Sequence, residues 1–289
     1  MRVLAIVPAR AGSTRLPGKN VMPLGGVPLA ERALRTALAA DRVDRVVVSS
    51  DDDAVLDLAA AVDPDVALRR PPELAGDRSP ALDFVLHALD ALAPDSFDAV
   101  AIVQPTSPFT SAADVDATID LLDATGAESA VTVMALDHAI HPAKLKTMDG
   151  DRLEPYLEDE RGRMAAHELP EVFVRNCSVY VSRTDVYRGG RTLGDDCRGH
   201  VMPRLRSADI NDATDFAFAE FLLDRSQLGP DPLVPLQGVL VDVQLVAPDG
   251  LQQVTLQPSL GGVVHADTLE RVRAAQVRAQ VQMIMPPKD

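Results

Sequence analysis

The chain has 289 residues, long enough for one large α/β domain with a sizeable core plus an appendage. Its formal net charge of −15 argues against a nucleic-acid backbone or an anionic membrane as a partner. No apolar run approaches the roughly 20 residues of a membrane span, and the N-terminus lacks the pattern of a signal peptide, so we expect a cytoplasmic protein.

The first predicted element is a buried strand over the apolar run 3–7, and a polar loop follows it. This loop, residues 8–20, reads Pro-Ala-Arg-Ala-Gly-Ser-Thr-Arg-Leu-Pro-Gly-Lys-Asn and leads into a helical pattern. Its small residues let backbone N–H groups approach phosphate oxygens, while Arg10, Arg15 and Lys19 supply positive charge. The loop therefore predicts a phosphate site; the alternative is an ordinary basic surface turn.

The first half of the chain alternates strand and helix patterns, which is typical of βαβ units. Further strands are predicted at 45–52, 66–68, 98–103 and 129–133, with helices at 53–61, 79–92 and 112–124. In open parallel sheets, ligands bind beyond the carboxyl ends of the strands. The loops at 8–20, 49–53 and 104–110 all follow strands, so we expect them to meet at one edge of the sheet.

The regular alternation stops after the strand at 129–133. Residues 137–175 are rich in His, Lys, Asp, Glu and Pro, which predicts an excursion from the sheet as an arm or lid. A strand pattern returns at 179–181, and a long amphipathic helix at 213–224 is expected to close the domain. Two cysteines, Cys177 and Cys197, form neither a disulfide framework nor a metal-binding pattern, so we expect reduced thiols.

The end of the chain is predicted to form a separate unit. The stretch 227–235, with three prolines and a glycine, is typical of a linker between a domain over 1–226 and an appendage over 227–289. The strand pattern at 238–243 has Asp242 near its end and resembles the first motif of haloacid dehalogenase-type phosphatases. That motif needs a second Asp where this chain has Gln244. We therefore expect an inactive remnant or an unrelated interaction appendage.

The loop at 8–20 is neither a P-loop nor a dinucleotide-binding fingerprint. It resembles the nucleotide-binding loop of the acylneuraminate and KDO cytidylyltransferases, which activate acidic sugars as CMP derivatives. The pattern A-R-x-G-S-K-G-x-P-x-K-N of the acylneuraminate enzymes is matched at seven positions, and the stretch 13–19 is more similar to the KDO enzymes. The matching residues are Ala9, Arg10, Gly12, Ser13, Pro17, Lys19 and Asn20.

Later motifs extend the resemblance over about the first 225 residues. They are Val48-Ser49-Ser50-Asp51, the stretch Arg70–Ser79 against R-P-x-x-L-A-x-D-x-S, the unchanged Gln104-Pro105-Thr106-Ser107-Pro108, Leu169-Pro170 with Asn176, and Asp209-Ile210-Asn211. The resemblance implies an α/β, Rossmann-like nucleotidyltransferase fold with a mostly parallel sheet, helices on both faces and the excursion at about 137–175. It also implies a CTP-dependent cytidylyltransferase that forms a homodimer through this excursion.

In nucleotidyl transfer an acidic nucleophile attacks the α-phosphorus of CTP, so cations and a divalent metal must cancel the charge that accumulates on the leaving pyrophosphate. The resemblance implies that Arg10 and Lys19 hold the triphosphate and, with Asp209, are catalytic. It places the backbone of Ala9 with Arg70 and Ser79 near the base. The residues implied to bind nucleotide are Ala9, Arg10, Gly12, Ser13, Arg15, Lys19, Asn20, Asp51, Arg70 and Ser79.

The implied cofactor is Mg²⁺ or Mn²⁺. Asp209 aligns with the first Asp of the family's D-I-D metal motif, whereas the second position is Asn211, a neutral and weaker ligand. The resemblance nevertheless implies Asp209 and Asn211 as the metal residues. The alternative for Asp209 is a charge at a helix N-terminus.

The acceptor motifs depart most from the family. Its R-R-Q-x-L-P is replaced by the stretch 165–170 without arginines, Arg161 and Arg163 lie out of register, and Q-P-T-S-P-L-R ends in Thr110. The residues proposed for the acceptor are Gln104, Thr106, Ser107, Lys144, Arg175 and Asn176, with His141 as a further candidate. We expect a 3-deoxy-2-keto sugar acid of the sialic, nonulosonic or Kdn type; a phosphonate acceptor and an inactive nucleotide-binding scaffold are the alternatives.

Overall fold

The computed structural model describes residues 1–157 and 169–226 and the two strands at 242–247 and 250–255. The chain divides into two compact units, Met1–Leu233 and Val234–Asp289. The predicted linker at 227–235, the out-of-register Arg161 and Arg163, and positions 165–167 of the acceptor motif lie outside the described residues.

The first unit is built around a seven-stranded sheet with helices on both sides. The strands of the whole unit, including the separate pairs β2–β3 and β8–β9, are β1 (Val3–Pro8), β2 (Pro23–Leu24), β3 (Val27–Pro28), β4 (Arg45–Ser50), β5 (Ala67–Arg69), β6 (Ala99–Val103), β7 (Ser129–Ala135), β8 (Lys146–Asp149), β9 (Arg152–Pro155), β10 (Phe173–Arg183) and β11 (Cys197–Val201). Its helices are α1 (Leu29–Leu38), α2 (Asp53–Val62), α3 (Ala81–Ala91), α4 (Ala112–Thr125), α5 (Thr184–Arg188) and α6 (Ala213–Ser226). The predicted strands and helices are present, with ends shifted by a few residues.

The strand order in the main sheet is β11-β7-β10-β6-β1-β4-β5. β10 runs antiparallel to both of its neighbours, β6 and β7, and the other neighbouring pairs are parallel. Side chains of β1 alternate between the two faces, as the period of two requires. Those on one face are Val3, Ala5 and Val7, and those on the other are Leu4 and Ile6.

Each face of the sheet carries its own apolar core. Leu34 of α1, Val55 of α2 and Ile119 of α4 belong to the cluster on one face. Phe84 of α3 and Tyr187 of α5 belong to the cluster on the other face. The predicted mostly parallel α/β sheet with helices on both faces is therefore confirmed.

The parallel register brings the predicted ligand loops to one edge. Pro8 at the end of β1 lies opposite Ser49 of β4, and the Ala9 N–H donates to the Ser49 carbonyl at 3.0 Å. The loop after β6 joins the chain before α6, because the Ile210 N–H donates to the Thr106 carbonyl at 2.8 Å. The segment 209–211 thereby reaches the edge that the first-half loops form.

The excursion begins after β7 with short 3₁₀ turns at 138–140 and 142–144 and continues into the antiparallel β8–β9 hairpin. The chain re-enters the sheet earlier than the pattern at 179–181 predicts, because β10 already begins at Phe173. Its pairing with β7 shifts register between Arg175 and Tyr180. This irregularity interrupts the alternation of side chains, which explains why the first half of the strand is hard to recognise in the sequence.

In the second unit, β12 (Asp242–Ala247) pairs antiparallel with β13 (Gly250–Thr255). The sequence pattern predicted a strand ending at 243, whereas the described strand begins at Asp242, and residues 238–241 lie outside the described part. Within the described ranges, no helix has both the length and the apolar character required to cross a membrane.

The N-terminus of α4 is fixed by a buried carboxylate. Ser111 and Asp114 form a reciprocal capping box, and Arg206 donates to the Asp114 carboxylate, whose side chain is 3% exposed. Burial by itself raises the pKa of Asp114, but hydrogen bonds from His200 and Ser111 and the charge of Arg206 lower it to about 2. This carboxylate thus joins α4 to the chain that leads to the segment 209–211.

We expect Asp114→Asn to lower the free energy of unfolding by about 1–3 kcal/mol, because it weakens the buried bond to Arg206 and the capping box. The control is Asp120→Asn on the same helix, an exposed partner of Arg42, for which we expect less than about 1 kcal/mol. Urea denaturation of the three proteins at pH 7 measures the difference.

The Asp114 carboxylate should make the stability of the protein sensitive to acid. The pKa of Asp114 in the folded state, about 2, lies below the ordinary 3.8. Its contribution to the free energy of unfolding is therefore complete above about pH 4 and is lost as the pH falls towards 2. The difference in unfolding free energy between wild type and Asp114→Asn should therefore shrink over this range, and a difference independent of pH would contradict the assignment.

Candidate active site

Two adjoining cavities lie at the carboxyl edge of the sheet. The smaller has a volume of about 270 Å³ and is lined by Arg10, Arg70 and Ser79, among other residues. The larger has a volume of about 360 Å³ and is lined in part by Arg175 and Asp209. Ala81 and Gln104 line both, so a ligand in one cavity can contact a ligand in the other.

The loop at 8–20 is held in shape by side chains that bond to its backbone. Buried Asn20 donates from Nδ2 to the Arg10 carbonyl at 2.9 Å, and the Ala11 N–H donates to Asp51 Oδ1 at 2.9 Å. Gly18 has φ +67°, a left-handed conformation that favours glycine, where the loop turns into the 3₁₀ helix. Asn20 and Asp51, which were predicted to bind nucleotide, thus contact the loop itself.

The three predicted phosphate cations each contact a residue from another loop. Arg10 Nη1 lies 2.9 Å from Asp77 Oδ1, and Arg15 Nη2 donates to Asn211 Oδ1 at 2.7 Å. Lys19 Nζ donates to the Ile210 carbonyl at 3.0 Å. Gly12 is exposed and Ser13 half-buried in the same loop. The positive side chains are therefore held in place around the edge of the sheet.

Lys19 lies in an environment that makes its positive charge costly. Burial is the main cause that lowers the pKa of Lys19, and the charges of Arg15 and Arg10 lower it further, while Asp209 opposes the shift. An anion that binds among these three cations relieves their mutual repulsion. This electrostatic arrangement favours a polyanionic ligand.

Arg70 is buried beneath the smaller cavity. Its Nε donates to Ser49 Oγ at 3.0 Å, its Nη2 donates to the Ser49 carbonyl at 2.8 Å, and its guanidinium lies 4.6 Å from the centroid of the Phe84 ring. Burial lowers the pKa of Arg70 to about 10, the nearby charge of Arg10 adds to this effect, and Asp51 opposes it. A guanidinium fixed in this way is a rigid hydrogen-bond donor for a planar ligand.

Ser79 and Ala9 are the two further residues predicted for the base. Ser79 lines the smaller cavity with Arg70, and its Oγ is 3.4 Å from the Glu73 carbonyl. Ala9 is buried and lines neither cavity. The Ala9 carbonyl accepts from Ser50 Oγ at 2.6 Å, and the Ala9 N–H donates to the Ser49 carbonyl. Ala9 therefore retains only acceptor capacity, through the second lone pair of its carbonyl.

Asp209 and Asn211 lie side by side at the larger cavity. Asn211 Nδ2 donates to Asp209 Oδ2 at 2.8 Å, whereas Asp209 Oδ1 is buried without a hydrogen-bond partner. A buried carboxylate oxygen without a partner fits a cation. The described residues contain no cluster of three or more His, Cys, Asp or Glu able to hold a metal. One carboxylate is sufficient where phosphates and waters supply the other ligands of Mg²⁺.

The structure separates the residues predicted for the acceptor into two groups. Gln104, Thr106 and Arg175 line the larger cavity. The others line neither cavity: Ser107 is buried, Asn176 is buried and donates to Ser207 Oγ at 2.9 Å, and Lys144 Nζ lies 3.0 Å from His138 Nδ1. Arg175 is thus the cation of the larger cavity in the described part of the chain.

The two remaining acceptor candidates from the sequence also have partners in the fold. The side chain of His141 is buried, with Nε2 3.1 Å from the Pro170 carbonyl, and the Ala143 N–H donates to its Nδ1. Thr110 is buried and donates from Oγ1 to the Ser107 carbonyl at 2.9 Å. Thr110 therefore stabilises the turn after β6, and His141 ties the excursion to the chain before β10.

Cys177 and Tyr180 line the larger cavity, although the sequence analysis did not predict either of them as a site residue. Cys177 has φ +62°, uncommon for a residue other than glycine, and lies where β10 shifts its register. Burial raises the pKa of the Tyr180 hydroxyl, and its hydrogen bond to Cys177 raises it further, so this hydroxyl stays neutral. No signal in the sequence marks the bulge that turns these side chains into the cavity.

Asp77 and Phe84, the contacts of Arg10 and Arg70, were also not assigned a role in the sequence. Asp77 lies within the matched motif 70–79, at the family's Asp position, so the motif did contain this signal. Phe84 lies on the apolar face of α3 and is indistinguishable in the sequence from other core residues.

We expect Arg70→Lys to lower the free energy of unfolding by about 1–3 kcal/mol, because a lysine cannot reproduce both bonds to Ser49 and the contact with Phe84. Arg69→Lys is the matched control, since Arg69 is an exposed neighbour on β5 and should change stability by less than about 0.5 kcal/mol. Denaturant titration compares the two variants, and equal effects would contradict the structural role of Arg70.

Comparison with known proteins identifies relatives of this chain. A family model described as cytidylyltransferase matches residues 4–189. A CMP-N,N'-diacetyllegionaminic acid synthase from Legionella pneumophila is 29% identical over 233 residues, which cover 78% of this chain and 98% of that protein. An N-acylneuraminate cytidylyltransferase from Escherichia coli is 25% identical over 220 residues, which cover 75% of this chain and 51% of that protein.

Solved structures agree on the fold. The structure of a CMP:2-keto-3-deoxy-manno-octonic acid synthetase complexed with CTP matches with a TM-score of 0.60 and 18% identity, covering 78% of this chain and 100% of that chain. A 4-diphosphocytidyl-2C-methyl-D-erythritol synthase from Anaerococcus prevotii matches with a TM-score of 0.55 and 16% identity over 78% of this chain and 96% of that chain. These likenesses support the Rossmann-like α/β fold of the first unit.

Proposed function

The chain belongs to the cytidylyltransferase family and is a CTP-dependent nucleotidyltransferase, and we propose that it transfers CMP from CTP to a 3-deoxy-2-keto sugar acid, releasing pyrophosphate. The observation that carries this proposal is the placement of Arg10, Arg15 and Lys19 on one loop at the edge of the sheet where the two cavities lie. Arg10 lines the smaller cavity, and Arg15 contacts Asn211, which lines the larger one. Three cations beside two adjoining cavities match a reaction in which a triphosphate and an acidic acceptor must meet.

We place the cytosine in the smaller cavity, where Arg70 is held rigid by Ser49 and Phe84. Arg70 and Ser79 supply donors, and the Ala9 carbonyl supplies an acceptor for the exocyclic amino group that separates cytosine from uracil. A site built from fixed polar groups rejects a base that leaves them unpaired. We therefore expect CTP to be preferred over UTP, ATP and GTP.

The triphosphate is assigned to the loop at 8–20. Gly12 and Ser13 let the backbone approach phosphate oxygens, while Arg10, Arg15 and Lys19 hold the negative charge. When the acceptor hydroxyl attacks the α-phosphorus, charge moves to the β- and γ-phosphates as pyrophosphate leaves. Lys19 is half-buried and already fixed to the Ile210 carbonyl, so it can stabilise this charge with little reorganisation.

We assign a divalent cation, Mg²⁺ or Mn²⁺, to the buried Oδ1 of Asp209. When bound, the cation would neutralise charge on the triphosphate. Asn211 was predicted as the second metal residue, but both ends of its amide already have partners, Arg15 and Asp209. We therefore propose Asp209 as the protein ligand of the cation.

The acceptor is assigned to the larger cavity. Arg175 is the cation placed to pair with its acidic group, while Gln104, Thr106 and Tyr180 offer polar contacts to a sugar. The legionaminic acid synthase, similar over nearly its whole length, supports a nonulosonic acid, and the N-acylneuraminate enzyme supports the sialic class. We propose an acceptor of the sialic, nonulosonic or Kdn type.

We also propose that the protein is a cytoplasmic homodimer formed through the excursion. Met148 of β8, Leu153 of β9 and Tyr156 beyond it are each more than 60% exposed. An apolar surface on a projecting hairpin is typical of a protein–protein interface. A second copy of the chain is the partner that the family resemblance implies.

Pyrophosphate release tests the proposed reaction. Purified protein with CTP, Mg²⁺ and a panel of sialic, nonulosonic and Kdn-type acids and phosphonates should release pyrophosphate with at least one sugar acid and stop in excess EDTA. We expect Lys19→Ala to lower kcat by roughly 10²-fold, the loss typical of one preorganised charge contact.

The matched control for Lys19→Ala is Arg35→Ala, which removes a cation from the exposed face of α1 and should keep wild-type turnover. Release with phosphonates alone would replace the sugar-acid acceptor by a phosphonate. No release with any acceptor, or full turnover of Lys19→Ala, would contradict the proposed reaction.

Arg175→Gln tests the acceptor site. Because it removes the cation of the larger cavity, we expect KM for the acceptor to rise about 10- to 100-fold, with KM for CTP nearly unchanged. Lys144→Gln is the comparison, since Lys144 was an equal candidate in the sequence but lines neither cavity. Steady-state kinetics with each substrate varied separates the two, and a larger effect at Lys144 would reverse the assignment.

A further inference from the structure

We propose that Asn211 is a positioning residue whose amide links Arg15 of the phosphate loop to Asp209 and leaves one oxygen of that carboxylate available to a cation. This inference rests on the proposed function of the same site. It replaces the predicted role of Asn211 as a direct metal ligand.

The amide of Asn211 is used at both ends. Its Oδ1 accepts from Arg15 Nη2 at 2.7 Å, and its Nδ2 donates to Asp209 Oδ2 at 2.8 Å. Its backbone N–H donates to Asp215 Oδ2 at 2.8 Å. The two side-chain partners fix the orientation of the amide, because a guanidinium only donates and a carboxylate only accepts.

The same contacts determine which oxygen of Asp209 is free. Oδ2 is occupied by Asn211, and Oδ1 is buried without a hydrogen-bond partner. A carboxylate that could rotate would lose this distinction. The bond from Asn211 therefore selects the oxygen that can face a cation and holds it in one direction.

Only an amide of this size can make both side-chain bonds. An aspartate at position 211 can accept from Arg15, but it has no N–H for Asp209 and places a second negative charge beside it. An alanine makes neither bond. Asn211 thus keeps a single carboxylate at the site while retaining the contact to the loop.

Two adjacent residues, Ile210 and Asn211, connect the segment 209–211 to the loop at 8–20. Lys19 bonds to the carbonyl of Ile210, the residue directly before Asn211, so two cations of the loop at 8–20 contact adjacent residues. The chain is fixed just beyond by Asp212 and Asp215 at the start of α6. A change at Asn211 should therefore reach the triphosphate site through Arg15.

A double-mutant cycle tests this coupling. CTP binding is measured by calorimetry in excess EDTA for wild type, Arg15→Ala, Asn211→Ala and the double variant. We expect each single variant to weaken CTP binding about tenfold, and the double variant to bind no more weakly than Arg15→Ala, since Asn211 acts through Arg15. Thr214→Ala, an exposed neighbour on α6, is the control for local disturbance.

Metal binding tests whether Asn211 keeps Asp209 as the single carboxylate at the site. The probe is Mn²⁺ added to the protein alone and followed by electron paramagnetic resonance. Asn211→Asp should bind Mn²⁺ several-fold more tightly than wild type, because it places two carboxylates together. Asn211→Asp is also the variant to rely on if Asn211→Ala does not fold, since it keeps the size of the side chain.

Unchanged CTP affinity of Asn211→Ala in EDTA, additive effects in the cycle, or unchanged Mn²⁺ affinity of Asn211→Asp would overturn the inference. Pyrophosphate release by wild type is measured in parallel. If wild type releases pyrophosphate but the effects of the two substitutions on CTP binding are additive, the role of Asn211 is refuted and the proposed function stands. Failure of wild type to bind CTP even with Mg²⁺ present would overturn the proposed function and this inference with it.

Discussion

The site depends on the parallel register of β1 between β4 and β6. Because these strands run in the same direction, their carboxyl ends lie together, and the loops that follow them must meet at one edge. The hydrogen bond between the Ala9 N–H and the Ser49 carbonyl extends this register one residue into the loop at 8–20. A loop that began one residue earlier or later would direct Arg10 to the other face of the sheet.

Concentrating positive charge in an acidic protein creates an electrostatic problem that the site resolves locally. Arg10, Arg15 and Lys19 repel one another, and Lys19 is also partly desolvated. Each contacts an oxygen of a different partner: the carboxylate of Asp77, the amide of Asn211 and a backbone carbonyl. A carbonyl and an amide hold Lys19 and Arg15 without neutralising their charge, so both charges remain available to the phosphates of the proposed triphosphate. Arg10 is paired with a carboxylate and also lines the smaller cavity.

Periodicity and loop chemistry predicted most of the fold and the position of the loop at 8–20 at the carboxyl edge of the sheet. Buried strands such as 3–7 are recognisable because they are apolar without interruption, and the loop after them combines small and basic residues. The role of Asn20 was less accessible, since an amide at the end of a phosphate loop can contact either the ligand or the loop. In the structure Asn20 contacts the loop, because its Nδ2 donates to the Arg10 carbonyl. Local spacing does not determine which side of a loop a side chain takes.

The larger cavity, which we propose for the acceptor, was harder to predict because it is built in part by an antiparallel strand with an irregular register. β10 lies between β6 and β7, and its bulge gives Cys177 a left-handed backbone conformation and places Tyr180 at the cavity beside Arg175. Such a conformation costs free energy, on the order of 1–3 kcal/mol, and it persists only where surrounding contacts maintain it. A bulge re-aims side chains without changing residue types, so no pattern in the sequence announces it. The backbone geometry of this strand therefore shapes the larger cavity, as do the charges of the side chains that line it.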